Sequence, residues 1–397
     1  MNEASKQLPA KAASGASVGF CCTVWAMGQR AGHLDGIGIY TRALWHALKT
    51  TTEDQQGWRF KPYAFGRNQP KLDCGVPQML AQRFSVSTLL SAAIRKPLSS
   101  SSQMRREIDV LHATDHHIPR IKGVPVVATV MDLIPLIHPE WIRQDLPRLK
   151  NWLFISSIRS ADHIITISEH SKQDLIAHLG LPPEQISVTP LGVEPRYFDR
   201  IDQQQIDATL RKHDLQPGFF LFVGTLQPRK NLRGLLKAFG QLPTAIRKQH
   251  KLVVVGRDGW GNEDLLPELQ ALEARGEGYW LDYLPKQQVM ALLQSAAALV
   301  FPSLYEGFGL PVIEAFAARC PVIASNTTSI PEVAGHAAWL IDPTDSADIA
   351  SAMLAVLEDE QLRKERIEAG LKRARTFTWE ACAARTLDVY SKVLRQR

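Results

Sequence analysis

Long apolar runs and cysteine are scarce in this 397-residue chain, and neither sign of charge dominates it. No stretch approaches the roughly 18 consecutive apolar residues needed to cross a bilayer, so no transmembrane helix is expected. The 5 cysteines are an odd number, and only Cys21 and Cys22 are close in sequence. They offer neither a disulfide framework nor the ligand spacing of a zinc site. A reducing cytoplasm fits, and no metal is expected. The net charge of +6 sits in residues 1–190, which carry 21 Lys+Arg against 15 Asp+Glu, whereas 191–397 carry 25 of each. No recognised nucleic-acid module accompanies that basic half, so nucleic acid is not an expected partner.

What is present is a globular composition, 45% hydrophobic and 22% charged. The length exceeds one ordinary core and points to two domains. Residues 1–17, rich in Ala, Ser and Lys, read as a disordered segment. The apolar run Val18 to Met27 superficially resembles the core of a signal peptide. It lacks a basic region directly ahead, contains Thr23 and Trp25, and leads into a glycine turn and an amphipathic helix. It therefore reads as a first strand.

Periodicity predicts strands near 18–25, 59–65, 109–113, 124–130 and 163–168, with helices near 37–50, 147–160 and 169–179. A second series has strands at 219–223, 251–255, 279–281, 298–301 and 322–324, and helices near 231–240, 286–295, 311–318 and 346–357. Alternation of this kind makes a mainly parallel sheet. Proline and glycine within Val188 to Val193 mark the boundary. The expectation is an α/β chain of two Rossmann-like domains, 18–190 and 191–375, facing across a cleft, with a last helical segment at 376–397. Ligands of such sheets bind at the carboxyl ends of the strands, so the active site is expected between the domains.

Three stretches carry chemistry. Glu306 and Glu314 flank a turn, Gly307, Phe308, Gly309, Leu310 and Pro311, that lies between an apolar strand and a helix. The glycines permit close backbone approach to a ligand, and Pro311 suits the first helical position. Free N–H groups at such a helix start attract phosphate. Glu306 in the loop is placed to accept bonds from hydroxyl groups. Glu314, in the first turn, either reads hydroxyls or merely stabilises the helix dipole. Phosphate beside hydroxyl-reading carboxylates suggests a nucleotide sugar. In the second stretch, Gly224 to Asn231, Gly224 and Thr225 lead to Arg229 and Lys230 at a strand's carboxyl end, where a forked guanidinium and a point charge suit donor phosphate. In the third, Gly36 and Gly38 open the helix after the first strand. They serve either a diphosphate or an ordinary turn, since G-x-G alone is weak.

The GTLQPRKN, LYEGFGLPVIEA and SNTTSIPEVAG stretches together resemble the retaining glycosyltransferases of family 4, which have the GT-B fold. MDLIPLIHPEW and ITISEHSKQDL in the first half resemble the mannosyltransferase-B-like branch, which acts on bacterial O-antigens and other polysaccharides. The resemblance covers nearly the whole chain beyond about residue 18, with the C-terminal block as its specific part. It implies that Arg229 and Lys230 hold the donor diphosphate, and that Glu306 contacts the donor sugar. Phe308, Gly309 and Leu310 would offer backbone to sugar and phosphate, and Glu314 would read the ribose. Tyr283 and Leu284 stand where main chain reads the base. Transfer would retain the anomeric configuration, with the leaving phosphate taking the acceptor proton and Glu306 holding the sugar rather than attacking it.

One position departs from that pattern. Many relatives carry histidine before an Asp-Leu pair near the donor sugar, and this chain has Met131 followed by Asp132. Asp132 either orients a hydroxyl or caps a turn. His112, ahead of Asp115, His116 and His117, is a further crevice candidate by position. The cluster carries no supporting ligand motif for zinc.

The resemblance thus implies a cytoplasmic enzyme, peripheral to the membrane, that moves mannose from GDP-mannose onto a lipid-linked oligosaccharide. It needs no cofactor beyond the nucleotide sugar. Arg83, Arg95, Lys96, Arg105 and Arg106 around Val86 to Ile94, with Trp141, Arg143, Arg148, Lys150 and Trp152, form either an anionic-membrane surface or a solvated basic face. Three rivals stand beside this reading: a UDP-sugar-dependent transferase of the same fold, a nucleotide-sugar epimerase, and a degenerate sugar-nucleotide binding subunit. The epimerase needs an acid/base set that the sequence does not display. Met131 favours the binding subunit, whereas Arg229, Lys230, Glu306 and Glu314 oppose it.

Overall fold

The computed structural model describes residues 16–53, 57–80, 101–142, 147–261 and 265–396. Seven short strands form the first sheet: β1 (Ser17–Cys21), β2 (Arg59–Ala64), β3 (Gln78–Met79), β4 (Val110–Ala113), β5 (Val126–Thr129), β6 (His163–Thr166) and β7 (Ile186–Val188). They lie in the order β3-β2-β1-β4-β5-β6-β7, and every pairing is parallel. Central strands such as β4 and β5 are buried at every position. This is the mark of a sheet covered by helices on both faces.

The second sheet comprises β8 (Phe220–Val223), β9 (Leu252–Val255), β10 (Gly278–Leu281), β11 (Ala298–Phe301), β12 (Val322–Ser325) and β13 (Trp339–Ile341). Its order is β10-β9-β8-β11-β12-β13, again parallel throughout. One face of its core joins Phe220, Phe222, Leu235 and Phe239 to Ile349 and Met353. The apolar stripes of the helices Leu232–Gln241 and Ser346–Glu358 therefore close over strand residues that point the same way. Both sheets are Rossmann-like.

The chain divides into two compact units. The first holds residues up to Leu136, then 144–192 and Trp379–Arg397, and the second holds Ile137–Arg143 and Val193–Thr378. The C-terminal helix Trp379–Arg395 is thus part of the first unit, where Tyr390 is fully buried. A short excursion, 137–143, belongs to the second unit, and nothing in its residue pattern announced that.

Several sequence expectations need correction. The strand expected over 18–25 stops at Cys21, and Thr23–Ala31 is a helix with Thr23, Val24, Trp25 and Ala26 buried. A short apolar run does not distinguish strand from buried helix, and the Asp115 carboxylate accepts the Val24 N–H at 3.3 Å where that helix begins. Ser17, assigned to the disordered segment, already pairs in β1, while residues 1–15 lie outside the described residues. Glu314 is not in the first turn of its helix, which runs Leu310–Ala317 with no acidic residue there. Pro311 is the second helical residue rather than the first. Arg83, Val86 to Ile94, Arg95, Lys96 and Arg143 lie outside the described residues.

Candidate active site

In the second sheet the chain reverses its direction of travel between β8 and β11, which are neighbours although two strands intervene in sequence. Such a switch point opens a crevice at the carboxyl ends of the two strands. The loop after β8 carries Gly224, Thr225 and, in a 3-10 turn, Arg229 and Lys230. The loop after β11 carries Glu306, Gly307, Phe308 and Gly309 before the helix that Leu310 begins.

These two loops meet. Lys230 donates from Nζ to Glu306 Oε1 at 2.5 Å, and Arg229 Nη1 donates to Glu306 Oε2 at 3.0 Å. Lys230 and Glu306 are 8% and 7% exposed, so their ion pair is shielded from water, whereas Arg229 is half-buried. Burial alone would raise the Glu306 carboxyl, but Lys230 and then Arg229 outweigh it and hold its pKa at about 2. The carboxylate is therefore ionised at any physiological pH. Lys230 also stands over the Phe301 ring, 4.8 Å from its centroid, a favourable cation–π contact.

Main-chain and side-chain bonds fix this geometry. Leu304 N–H donates to the Arg229 carbonyl at 2.7 Å. Asn231, in the left-handed region at φ 56°, accepts the Gly234 N–H and donates through Nδ2 to the carbonyls of Pro302 and Pro343 at 3.1 and 2.6 Å. One side chain thus caps the helix Leu232–Gln241 and ties the cationic turn to the glutamate loop. From the end of β12, Ser325 Oγ donates to the Ser303 carbonyl at 2.6 Å, and from the turn after it Ser329 Oγ donates to the Glu306 carbonyl at 2.9 Å. Thr328 Oγ1 accepts the Glu306 N–H at 3.2 Å. The serines and threonines of 325–329 are the buttress of the Glu306 loop, a role that their spacing did not reveal. Gly309 has φ 104°, and a Cβ there would lie 2.5 Å from Ile330 Cδ1, so both backbone and space demand glycine.

Glu314 occupies a different environment. Its carboxyl group is enclosed beside the Tyr197 hydroxyl, which donates to it, with Lys286 and Glu194 nearby. Burial dominates and lifts its pKa to about 7, with Lys286 opposing. Lys286 and Arg196 both pair with Glu194, so the local cations are already engaged. Tyr283 is 56% exposed with Arg257 over its ring at 4.8 Å, and Leu284 is half-buried beside it. Phe308 is buried against Phe377, leaving its backbone rather than its ring at the loop.

The 137–143 excursion brings in residues that sequence reasoning did not connect with the site. His138 stacks on Trp141 at 3.8 Å and meets the Tyr305 ring edge-on at 5.7 Å, while Trp260 Nε1 donates to the Trp141 carbonyl at 3.0 Å. Trp141, expected on an interfacial surface, is half-buried in this clasp.

In the first unit, Gly36 begins the helix Gly36–Glu53, and Gly38 N–H donates to the Asp35 carboxylate at 2.7 Å. A side chain at Gly36 would meet nothing within 4 Å. The protein's own packing therefore does not require that glycine. Asp132 accepts the Ile134 N–H at 3.1 Å and so caps the turn Ile134–Ile137. His112 is not in a crevice. It is fully buried, with Nδ1 2.6 Å from the Tyr390 hydroxyl and Nε2 2.8 Å from Thr129 Oγ1, and burial pushes its pKa down to about 3. It is a neutral clamp for the C-terminal helix. Asp115, His116 and His117 are grouped with their ligand atoms within 4.8 Å of one another. Asp115 Oδ1 already accepts both the backbone N–H and Nδ1 of His117 at 2.7 Å, and Oδ2 faces Val24 N–H. Three of the roughly four acceptor sites of this carboxylate are thus in use, two of them by His117, which it orients.

The model of the family described as Glycosyl transferases group 1 matches residues 204–373, and that described as Glycosyltransferase Family 4 matches 36–197. O-antigen chain mannosyltransferase B of Escherichia coli is 34% identical over 284 residues, 71% of this chain and 74% of that protein. The chain belongs to the family 4 glycosyltransferases. A second relative, MMP alpha-(1->4)-mannosyltransferase of Mycolicibacterium hassiacum, is 26% identical over 91% of this chain and 96% of its own length. Among solved structures, sucrose-phosphate synthase (tll1590) of Thermosynechococcus elongatus matches with a TM-score of 0.72 at 20% identity, over 96% of this chain and all of that one. At that identity it bears on the fold, which is that of the GT-B glycosyltransferases. In this glycosyltransferase the Arg229, Lys230 and Glu306 group falls within the group 1 match, and Gly36 is the first residue of the family 4 match.

Proposed function

We propose that this glycosyltransferase moves mannose from GDP-mannose, with retention of anomeric configuration, onto a lipid-linked oligosaccharide in bacterial surface polysaccharide biosynthesis, O-antigen or exopolysaccharide. The names of both sequence relatives support mannose. The observation that carries the reading is the buried meeting of Arg229, Lys230 and Glu306 at a sheet's switch point. Two cations held at a strand's carboxyl end fit a diphosphate, and a carboxylate between them and the next helix fits a sugar hydroxyl.

In the reaction the bond from the sugar's anomeric carbon to the donor phosphate breaks and a bond to the acceptor oxygen forms. The acceptor proton passes to the departing phosphate. Positive charge develops on the sugar while negative charge grows on that phosphate. Arg229 and Lys230, already fixed by their neighbours, stabilise the growing charge without reorganising. They supply what a divalent ion supplies in other glycosyltransferases, so the reaction needs no metal. Glu306 holds the sugar, and Glu314 accepts from the ribose hydroxyls.

The helix Pro147–Ile158 presents Arg148, Leu149, Lys150 and Trp152 to solvent, with Trp152 50% exposed, and Arg105 and Arg106 are exposed as well. Cations beside an exposed indole suit the headgroup layer of an anionic membrane, which supports the reading of an enzyme peripheral to the inner face of the cytoplasmic membrane. No helix among the described residues is long and apolar enough to cross a membrane.

The test is a panel of GDP- and UDP-sugars with EDTA, reading thermal shift and slow donor hydrolysis. Hydrolysis of GDP-mannose alone is expected. A response to UDP-glucose instead would replace the donor. Stabilisation by a nucleotide without turnover, even with lipid extract added, would mark a binding subunit.

A further inference from the structure

The carboxylate of Glu306 already occupies the two cations. Both of its oxygens are engaged, one by Lys230 at 2.5 Å and one by Arg229 at 3.0 Å, and all three side chains are at most 21% exposed. A carboxylate bridging two cations is the internal equivalent of a bound monoanion. Of the two positive charges, one is therefore cancelled before any ligand arrives. A lone phosphate entering here must compete with a carboxylate that is covalently tethered beside the cations and pays no translational cost to be there. Two linked phosphates carry more charge on more oxygens, and can reach both cations at once.

We propose that Glu306 is a built-in counter-anion that makes this site selective for linked phosphates over single ones. It sets which phosphate ligands the Arg229 and Lys230 pair accepts, in addition to any contact with the sugar. The proposal rests on the reading of this pair as the donor-diphosphate site. Donor entry is then an exchange of ions: the diphosphate takes the cations, and the released Glu306 carboxylate turns to a sugar hydroxyl. With Lys230 and Glu306 buried, the exchange is favourable only for a ligand that repairs both ion pairs, since an unpaired buried charge is costly.

The experiment is calorimetric titration of the full chain, with EDTA, using inorganic phosphate and inorganic pyrophosphate as probes. Wild type is expected to bind pyrophosphate about tenfold or more tighter than phosphate. Glu306→Gln, which keeps the side chain's shape but removes its charge, is expected to bind phosphate about tenfold tighter than wild type and so narrow that preference. Unchanged or weaker phosphate binding by the variant would overturn the proposal, because Glu306 would then serve only to scaffold the cations. Lys230→Met keeps the question open to disproof if the glutamine variant does not fold. One cation against one carboxylate should lose pyrophosphate binding by about a hundredfold, and a loss below about tenfold overturns the exchange. Failure of wild type to bind pyrophosphate at all would instead overturn the donor-site reading beneath it.

Discussion

The two units share one topology and place different chemistry at the same address. In each sheet the strand order reverses beside a central pair, β1 with β4 in the first and β8 with β11 in the second. At the second unit's switch point stand buried Lys230 and Glu306 and half-buried Arg229, with both cations bonded to the one carboxylate. At the first unit's stand Asp115, His116 and His117, with His112 behind them locked between Thr129 and Tyr390. The second edge is built around two cations sharing one carboxylate, and the first around hydrogen bonds between neutral groups and the Asp115 carboxylate. A Rossmann-like sheet thus supplies a place, and the loops decide what that place does.

The largest effect should come from breaking the charged edge. Lys230→Met is expected to lower donor turnover about 100- to 1000-fold, the scale seen when one preorganised stabiliser of developing charge is removed. His117→Gln, at the matching address in the first unit, should change slow donor hydrolysis by less than about threefold, since no charged phosphate contact is lost with it. Steady-state assays of the two variants read the contrast directly.

A smaller effect should follow from Asn231→Ala. It leaves the Pro302 and Pro343 carbonyls and the Gly234 N–H without this partner and removes a residue suited to the left-handed region, for a loss of roughly 2 kcal/mol in urea unfolding. Turnover should fall too, because the Arg229 and Lys230 turn loses its tie to the Glu306 loop. Tyr390→Phe sharpens the comparison from the other side. It should cost about 1 kcal/mol of stability through the His112 bond and leave nucleotide affinity unchanged.

The smallest expected effect on nucleotide affinity is a pH dependence. Glu314 is lifted to about 7 by burial, so the folded chain holds a proton that the unfolded chain has lost above its ordinary value of 4.5. Its contribution to stability is full below about 4.5 and declines as pH rises through 7. Nucleotide binding should run the opposite way, because the ionised carboxylate is the stronger acceptor for the ribose hydroxyls of the proposed donor, and affinity should rise a few-fold between about pH 6 and 8. Glu314→Gln should flatten both trends in thermal melts and titrations. Glu306, held at about 2, contributes nothing to either slope in that range.

Much of this was legible from residues alone where the signal is local. The paired glycines, Arg229, Lys230 and Glu306 could be placed at strand ends because strand, turn and helix each carry their own pattern. The parallel sheets followed from the alternation of strands and helices. The short helix Thr23–Ala31 was missed because a nine-residue apolar helix and a strand look alike until something packs against them. His112 was misplaced because its partner Tyr390 is 278 residues away. The buttress at 325–329 and the clasp of His138 and Trp141 on Tyr305 are also products of contact across long stretches of chain. Periodicity does not encode such contacts.

The most direct measurement of the central claim is GDP affinity, by calorimetry with EDTA, for the wild-type full chain, Lys230→Met and His117→Gln. Lys230→Met should lose about a hundredfold while His117→Gln stays within about threefold of wild type. Retained affinity in Lys230→Met, or a comparable loss in His117→Gln, would contradict that claim and move the phosphate site to the first unit.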